Sequence, residues 1–187
     1  SPTRATSSSD VEAVKQAMQY ARRGKSGAAT ELQRSISDPM ARKLVEWMIL
    51  RSDDNDEVNF PRHNAFITSN PAWPSIGRLR RRAEAMLWTE KGDLATIRAF
   101  FDKEEPLSAL GRFAYARALL AGGIRGAAQA QMRVGWTQKF GRDVESEARD
   151  VFAELIAPGD DKARMDRRIY EDDIDAALDF RAHPRRK

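Results

Sequence analysis

A side chain does chemistry only when partners are spaced to meet it, and few residues of this 187-residue chain are so placed. There is no cysteine, which removes disulfides, thiolate metal sites and cysteine nucleophiles together. Only two histidines occur, His63 and His183, and no other strong metal ligand stands at a motif spacing from either. His63 falls on a mostly apolar helix face and reads as a packed core or rim residue. Neither a phosphate-cradling glycine loop nor a nucleophile elbow is present. The residues therefore nominate no catalytic group, no cofactor site and no metal site.

Carboxylates are plentiful, and three adjacent pairs are candidates for acid–base work: Glu104-Glu105, Asp160-Asp161 and Asp172-Asp173. Each lies at a turn or a helix start, where negative charge meets the positive end of the helix dipole. Neighbouring residues also point in different directions, so these pairs do not converge on a bond as a glycosidase requires. The acidic stretch Ser52-Asp53-Asp54-Asn55-Asp56-Glu57 lacks the glycine and terminal glutamate of a calcium loop and reads as a solvated turn. The best anion-binding candidate is Arg78-Leu79-Arg80-Arg81-Arg82. Arg80 and Glu84 are four apart on a helix and can pair, while the remaining guanidinium groups can hold phosphate or carboxylate. A solvated helix face is the plainer reading of the run. Trp47, Trp73, Trp88 and Trp136 sit at helix faces and junctions, where packing between repeats is expected and stacking on a sugar ring is chemically open.

The elements that must position these residues are helices. Ala dominates, Val and Thr are sparse, and no segment alternates apolar and polar residues for long. Asp10 is expected to cap a first helix with Val11, Val14, Met18 and Ala21 on one face, closed by Gly24. A short amphipathic piece follows over 27–36. Asp38-Pro39 supplies a cap and a first-turn proline for a helix whose stripe is Met40, Leu44, Val45 and Met48. A helix over 60–69 ends at Asn70-Pro71. The next carries Ile76, Leu79, Ala83, Met86 and Leu87 inward and Arg78, Arg81, Arg82 and Glu84 mostly outward. Lys91-Gly92-Asp93 and Pro106-Leu107-Ser108 open two more helices, Gly122-Gly123 closes the second of these, and another runs over 125–136. A helix from Gly141-Arg142-Asp143 is expected to break at Pro158-Gly159-Asp160, with two short helices, 162–170 and 174–180, completing the chain.

Successive pairs begin near Asp38, Ser75, Ser108 and Asp143, a period of roughly 33 to 37 residues, as in tetratricopeptide-like solenoids. The expected fold is all-α, a superhelical array of antiparallel helical hairpins over 10–181. It would be flanked by a flexible segment over 1–9 and a basic tail over 182–187. A single globular bundle is the alternative. The polar start, Ser1 to Ser9, reads as a mature end from which any signal peptide has gone.

Composition bounds the partners. With 41% hydrophobic and 32% charged residues and a mean hydropathy of -0.63, the chain is too apolar for disorder and too polar for a membrane span. A net charge of +4 and a pI near 9.6 invite a nucleic-acid reading. The excess is small, 32 basic against 28 acidic residues, and argues against it.

Several segments, in order, resemble the start of the helical array of soluble lytic murein transglycosylases. They are Asp38-Pro39-Met40-Ala41-Arg42-Lys43-Leu44-Val45-Glu46-Trp47, then Phe66-Ile67-Thr68-Ser69-Asn70-Pro71-Ala72-Trp73-Pro74, then Leu79-Arg80-Arg81-Arg82-Ala83-Glu84. Arg112-Phe113-Ala114-Tyr115-Ala116-Arg117-Ala118-Leu119-Leu120 and Asp161-Lys162-Ala163-Arg164-Met165-Asp166-Arg167-Arg168-Ile169-Tyr170 continue the likeness. The resemblance implies a non-catalytic superhelix, periplasmic, that stands beside a lysozyme-like domain cleaving peptidoglycan to a 1,6-anhydro end. In the family one glutamate followed by serine does the cleavage, with a Gly-Leu-Met-Gln stretch further on. Here the only Glu-Ser pair is Glu145-Ser146, in an amphipathic helix without that stretch, so no catalytic residue carries over. The expectation is a scaffold, a fragment or truncated relative, that positions glycan strands or cell-wall proteins. A stand-alone helical-repeat adaptor for a protein is the rival.

Overall fold

The computed structural model describes residues 7–52 and 58–182. Among them are ten α-helices and no strand: α1 (Ser8–Arg22), α2 (Ser26–Ser35), α3 (Pro39–Leu50), α4 (Phe60–Ser69), α5 (Ile76–Thr89), α6 (Leu94–Phe100), α7 (Ala109–Ala121), α8 (Arg125–Trp136), α9 (Arg142–Val151) and α10 (Pro158–Ala182). The acidic turn over 53–57, His183 and the rest of the basic tail lie outside the described residues.

Side-chain caps set five of the ten helix starts. Ser7, Asp38, Asn59, Asp93 and Ser108 each accept a backbone N–H from the first turn that follows, satisfying donors that the helix itself cannot. Asp38 and Asn59 are aided by Pro39 and Pro61, whose fixed φ suits the first turn. Two glycines with positive φ, Gly24 and Gly123, close α1 and α7, as a left-handed residue past a helix end should. Asp10 does not cap α1. Ser7 takes that place, so the helix begins inside the segment expected to be flexible, and Asp10 is buried in the first turn.

The described residues group into two compact units, divided after Ala83 within α5. In the first, α1 packs on α2 and α3 through Ala17, Ala21 and Ala29, which are fully buried and small enough to let the helix axes approach. Ile36, Val45, Ile49, Leu50, Phe66, Leu79 and Ala83 fill the remaining space. The buried stripe of α3 is Ala41, Val45 and Ile49, one position round from the expected Met40 and Leu44, which are exposed.

In the second unit α7 and α8 make the most extensive helix pair. Phe113 of α7 is fully buried at the hub of an aromatic cluster. Its ring centroid lies 5.0 Å from Phe140, 5.7 Å from Phe152, 5.9 Å from Trp88 and 6.2 Å from Trp136, the offset and edge-on range that aromatic quadrupoles favour. Gly135 makes this packing possible, because a Cβ there would stand 2.8 Å from the Phe113 ring. Beyond α9 the chain departs from expectation. Pro158 starts a helix instead of breaking one, and α10 runs unbroken for 25 residues, because a proline in a first helical turn loses no hydrogen bond.

Charged and polar ties repeat between helices two apart in sequence. The buried carboxylate of Asp10 in α1 accepts the N–H groups of Ser37 (3.1 Å) and Asp38 (3.0 Å), just ahead of α3. Glu84 in α5 does the same ahead of α7, accepting the Leu107 (3.0 Å) and Ser108 (2.9 Å) N–H groups and the Ser108 hydroxyl (2.7 Å). At the opposite helix ends, Arg82 of α5 donates to the Leu50 and Ser52 carbonyls that finish α3. Arg117 of α7 donates to the Leu87 and Trp88 carbonyls of α5. Each tie places a charge where the dipole of the neighbouring helix favours it.

Candidate functional site

The arginine run does not form one anion-binding surface. Arg78 and Arg81 are exposed, Arg80 is buried, and Arg82 is engaged with the Leu50 and Ser52 carbonyls at the end of α3, at 3.2 and 2.7 Å. Glu84, expected outside with them, is fully buried. Helical spacing places a residue on a face, but Glu84 is drawn in by three donors that apolar periodicity does not register.

Several of the remaining candidates are engaged in ion pairs and hydrogen bonds. Among the adjacent carboxylates, Glu105 pairs with Arg112 at 3.1 Å. Asp160 accepts the Ala157 N–H at 2.9 Å and pairs with Arg133 at 3.2 Å. Asp161 pairs with Arg149 at 2.6 Å, and Asp172 and Asp173 are exposed on α10. Among the described residues no group of three His, Asp or Glu side chains is arranged to hold a metal ion.

His63 is 1% exposed in the first unit. Burial pushes its pKa down to about 4, against the Asn59 and Leu50 carbonyls, which favour the charged ring. Neither ring nitrogen makes a well-formed hydrogen bond among the described residues, so His63 is a neutral core residue at physiological pH. Beside it, Glu46 receives Arg62 at 2.7 and 2.9 Å and Gln33 at 2.9 Å. Burial acts to raise the Glu46 pKa, and the hydrogen bonds from Arg62 and Gln33 outweigh it and hold the carboxyl below its ordinary range. This network joins α2, α3 and α4.

The tryptophans divide into two kinds. Trp88 and Trp136 are buried in the second unit, Trp88 with Arg117 4.1 Å over its ring. Trp47 and Trp73 are half-buried in the first unit, their centroids 6.3 Å apart, with Phe66 supporting Trp73 edge-on at 5.5 Å. Arg51 lies 4.6 Å over Trp47 and Lys43 5.9 Å over Trp73. The Lys43 contact is at the outer limit of a cation–π interaction. Lys43 and Trp47 on α3 and Arg51 at its C-cap are spaced by four and so share one stripe, a pattern written in the sequence that a search for catalytic groups passed over. Next to Arg51, Met18, Arg22, Met48 and Ser52 line an open groove of about 460 Å³. Aromatic faces flanked by cations suit a ligand with both a sugar-like apolar face and a carboxylate.

Glu145, of the sole Glu-Ser pair, is 6% exposed and enclosed by Arg149 (3.2 Å), Arg164 (3.3 Å) and Arg168 (3.4 Å). Three guanidinium groups surround its carboxylate as ion-pair partners. No described helix is long and apolar enough to cross a membrane. No family model, curated protein or solved structure matches the chain.

Proposed function

We propose that this chain is a non-catalytic helical scaffold of the kind that stands beside the catalytic domain in soluble lytic transglycosylases. In this reading it is periplasmic and positions peptidoglycan glycan strands or cell-wall proteins. Its helical pairs form a tetratricopeptide-like superhelix, a reading supported by the two pairs of ties that recur between helices two apart. One observation carries the ligand assignment: the half-buried Trp47 and Trp73 rings beside Lys43 and Arg51. Peptidoglycan offers sugar faces to the rings and lactyl and peptide carboxylates to the cations.

Sedimentation with purified, insoluble peptidoglycan tests the proposal. The chain is expected in the pellet at low salt, and Trp47→Ala with Trp73→Ala should leave most of it in the supernatant while far-UV circular dichroism is unchanged. Release of 1,6-anhydro muropeptides by the chain alone would overturn the non-catalytic half. Failure to sediment at low salt would overturn the glycan half.

A second reading, a helical-repeat adaptor for a protein partner, is favoured by α10. Met165, Ile169, Tyr170, Leu178 and Phe180 are each more than half exposed along it. Such a run of large apolar side chains is a usual mark of a protein-binding surface. A stable protein partner recovered in a pull-down, together with failure to sediment with peptidoglycan, would select it.

A further inference from the structure

Around the buried Glu145 the second unit holds more positive charge than its own carboxylates neutralise. Arg149, Lys162, Arg164 and Arg168 line an open cavity of about 500 Å³ with Asp161, and Glu145 is held by the three arginines. Four cations thus face two carboxylates, an excess of two positive charges.

The four cations are not equivalent. Arg164 is 2% exposed and its donors are spent on Glu145 (3.3 Å) and on the Gln138 (3.0 Å) and Phe140 (3.3 Å) carbonyls, with its guanidinium 3.7 Å over the Phe140 ring. It is the partner that makes burial of Glu145 tolerable. Arg149 is fixed by Asp161 at 2.6 Å and by the Trp136 ring 5.0 Å away, so its direction is set before any ligand arrives. Hydrogen bonding to Asp161 raises its pKa further above the ordinary value, against a smaller opposing effect of burial, so its charge is permanent. Arg168 has one ion-pair contact, at 3.4 Å, close to the limit of a hydrogen bond. Lys162 is exposed and makes no ion pair among the described residues.

We infer that Arg149, Lys162 and Arg168 form a binding site for a multiply charged oxyanion, a carboxylate- or phosphate-bearing group. A rigid guanidinium, a loosely held second one and an unpaired ammonium converge on one concavity. Planar guanidinium groups grip two oxygens at once, and the lysine supplies a mobile point charge. This site lies in the second unit, on α9 and α10.

Titration with inorganic phosphate and, separately, with succinate at constant ionic strength tests the inference. Binding is read from the Trp136 indole signal in heteronuclear NMR, since Arg149 lies against that ring. A saturable shift with at least one of the two anions is expected, and sodium chloride at the same ionic strength should not produce it. Saturation by phosphate alone assigns a phosphate ligand, and saturation by succinate assigns a carboxylate one. Lys162→Gln with Arg168→Gln should weaken binding at least tenfold. Lys162→Gln alone, on an exposed side chain, should weaken it severalfold and keeps the test valid if the double variant is unstable. Arg78→Gln with Arg81→Gln removes the same charge elsewhere and should leave the affinity unchanged. No saturable shift, or equal weakening by the Arg78 and Arg81 changes, would overturn the inference.

Discussion

Removing the carboxylate of Glu84 leaves the Leu107 and Ser108 amides and the Ser108 hydroxyl facing a buried void. Each unsatisfied buried donor costs about 1–3 kcal/mol, so Glu84→Ala should lower unfolding stability by about 3 kcal/mol or more, measured by urea denaturation. The exposed Glu104→Ala serves as the comparison and should change it by less than about 0.5 kcal/mol. Gly111 belongs to the same arrangement, because a Cβ there would collide with the Glu84 carboxylate. Gly111→Ala should therefore destabilise by about 1–3 kcal/mol, and by clearly less in a Glu84→Ala background, since the two changes share one space. Additive losses would show that the two residues act independently. Phe113, in contact with four aromatic rings, is the position whose truncation to Ala should cost most in the second unit, about 3–5 kcal/mol.

At the scale of the element, α4 carries a residue whose protonation bears on stability. An ordinary histidine titrates near 6.5, whereas burial holds His63 to about 4. The unfolded chain therefore takes up a proton that the folded one refuses as pH falls between these values. The stability this contributes is complete above about pH 6.5 and is lost as pH falls toward 4, amounting to about 3 kcal/mol. Chemical denaturation across that range should show the loss, and His63→Phe should flatten the slope there. The Glu46–Arg62 network gives a further loss at lower pH, as the carboxylate is protonated.

Element boundaries were legible where a cap and a proline coincide, as at Asp38-Pro39, or where an acid or hydroxyl stands alone before an apolar run, as at Asp93 and Ser108. Pro158-Gly159-Asp160 was not, because the same three residues suit the end of one helix and the start of the next. The phase of α3 was missed because apolar residues on nearly every side of Pro39–Leu50 leave periodicity undecided. Only contact with α1 and α2 selects Ala41, Val45 and Ile49. The candidate site was half legible. The tryptophans were conspicuous, and the cations beside them were hidden among many other basic residues.

Over the whole molecule the small positive charge conceals an uneven distribution along α10. Its later part carries Glu171, Asp172, Asp173, Asp175 and Asp179 before the next basic residue, Arg181, alongside the exposed Ile169, Leu178 and Phe180. Ile169→Lys with Leu178→Lys should leave the thermal midpoint nearly unchanged, within about 0.5 kcal/mol of stability, because neither side chain is buried. A loss above about 1 kcal/mol would mean that this face is covered in the folded chain. Sedimentation velocity on the same pair checks self-association. Any concentration-dependent species formed through α10 should disappear in the variant.

The carboxylates of Asp10 and Glu84 bear on how these helices could be misaligned. Apolar stripes built from Ala, Leu and Ile tolerate a shift of one helical turn, about 5.4 Å, because one methyl-lined groove resembles the next. A buried carboxyl group does not, since the same slip would strand its oxygens without donors. In each unit a single acid thus acts as a detent. The oily surfaces supply adhesion between helices, and one hydrogen-bonded carboxyl group decides at which notch they stop.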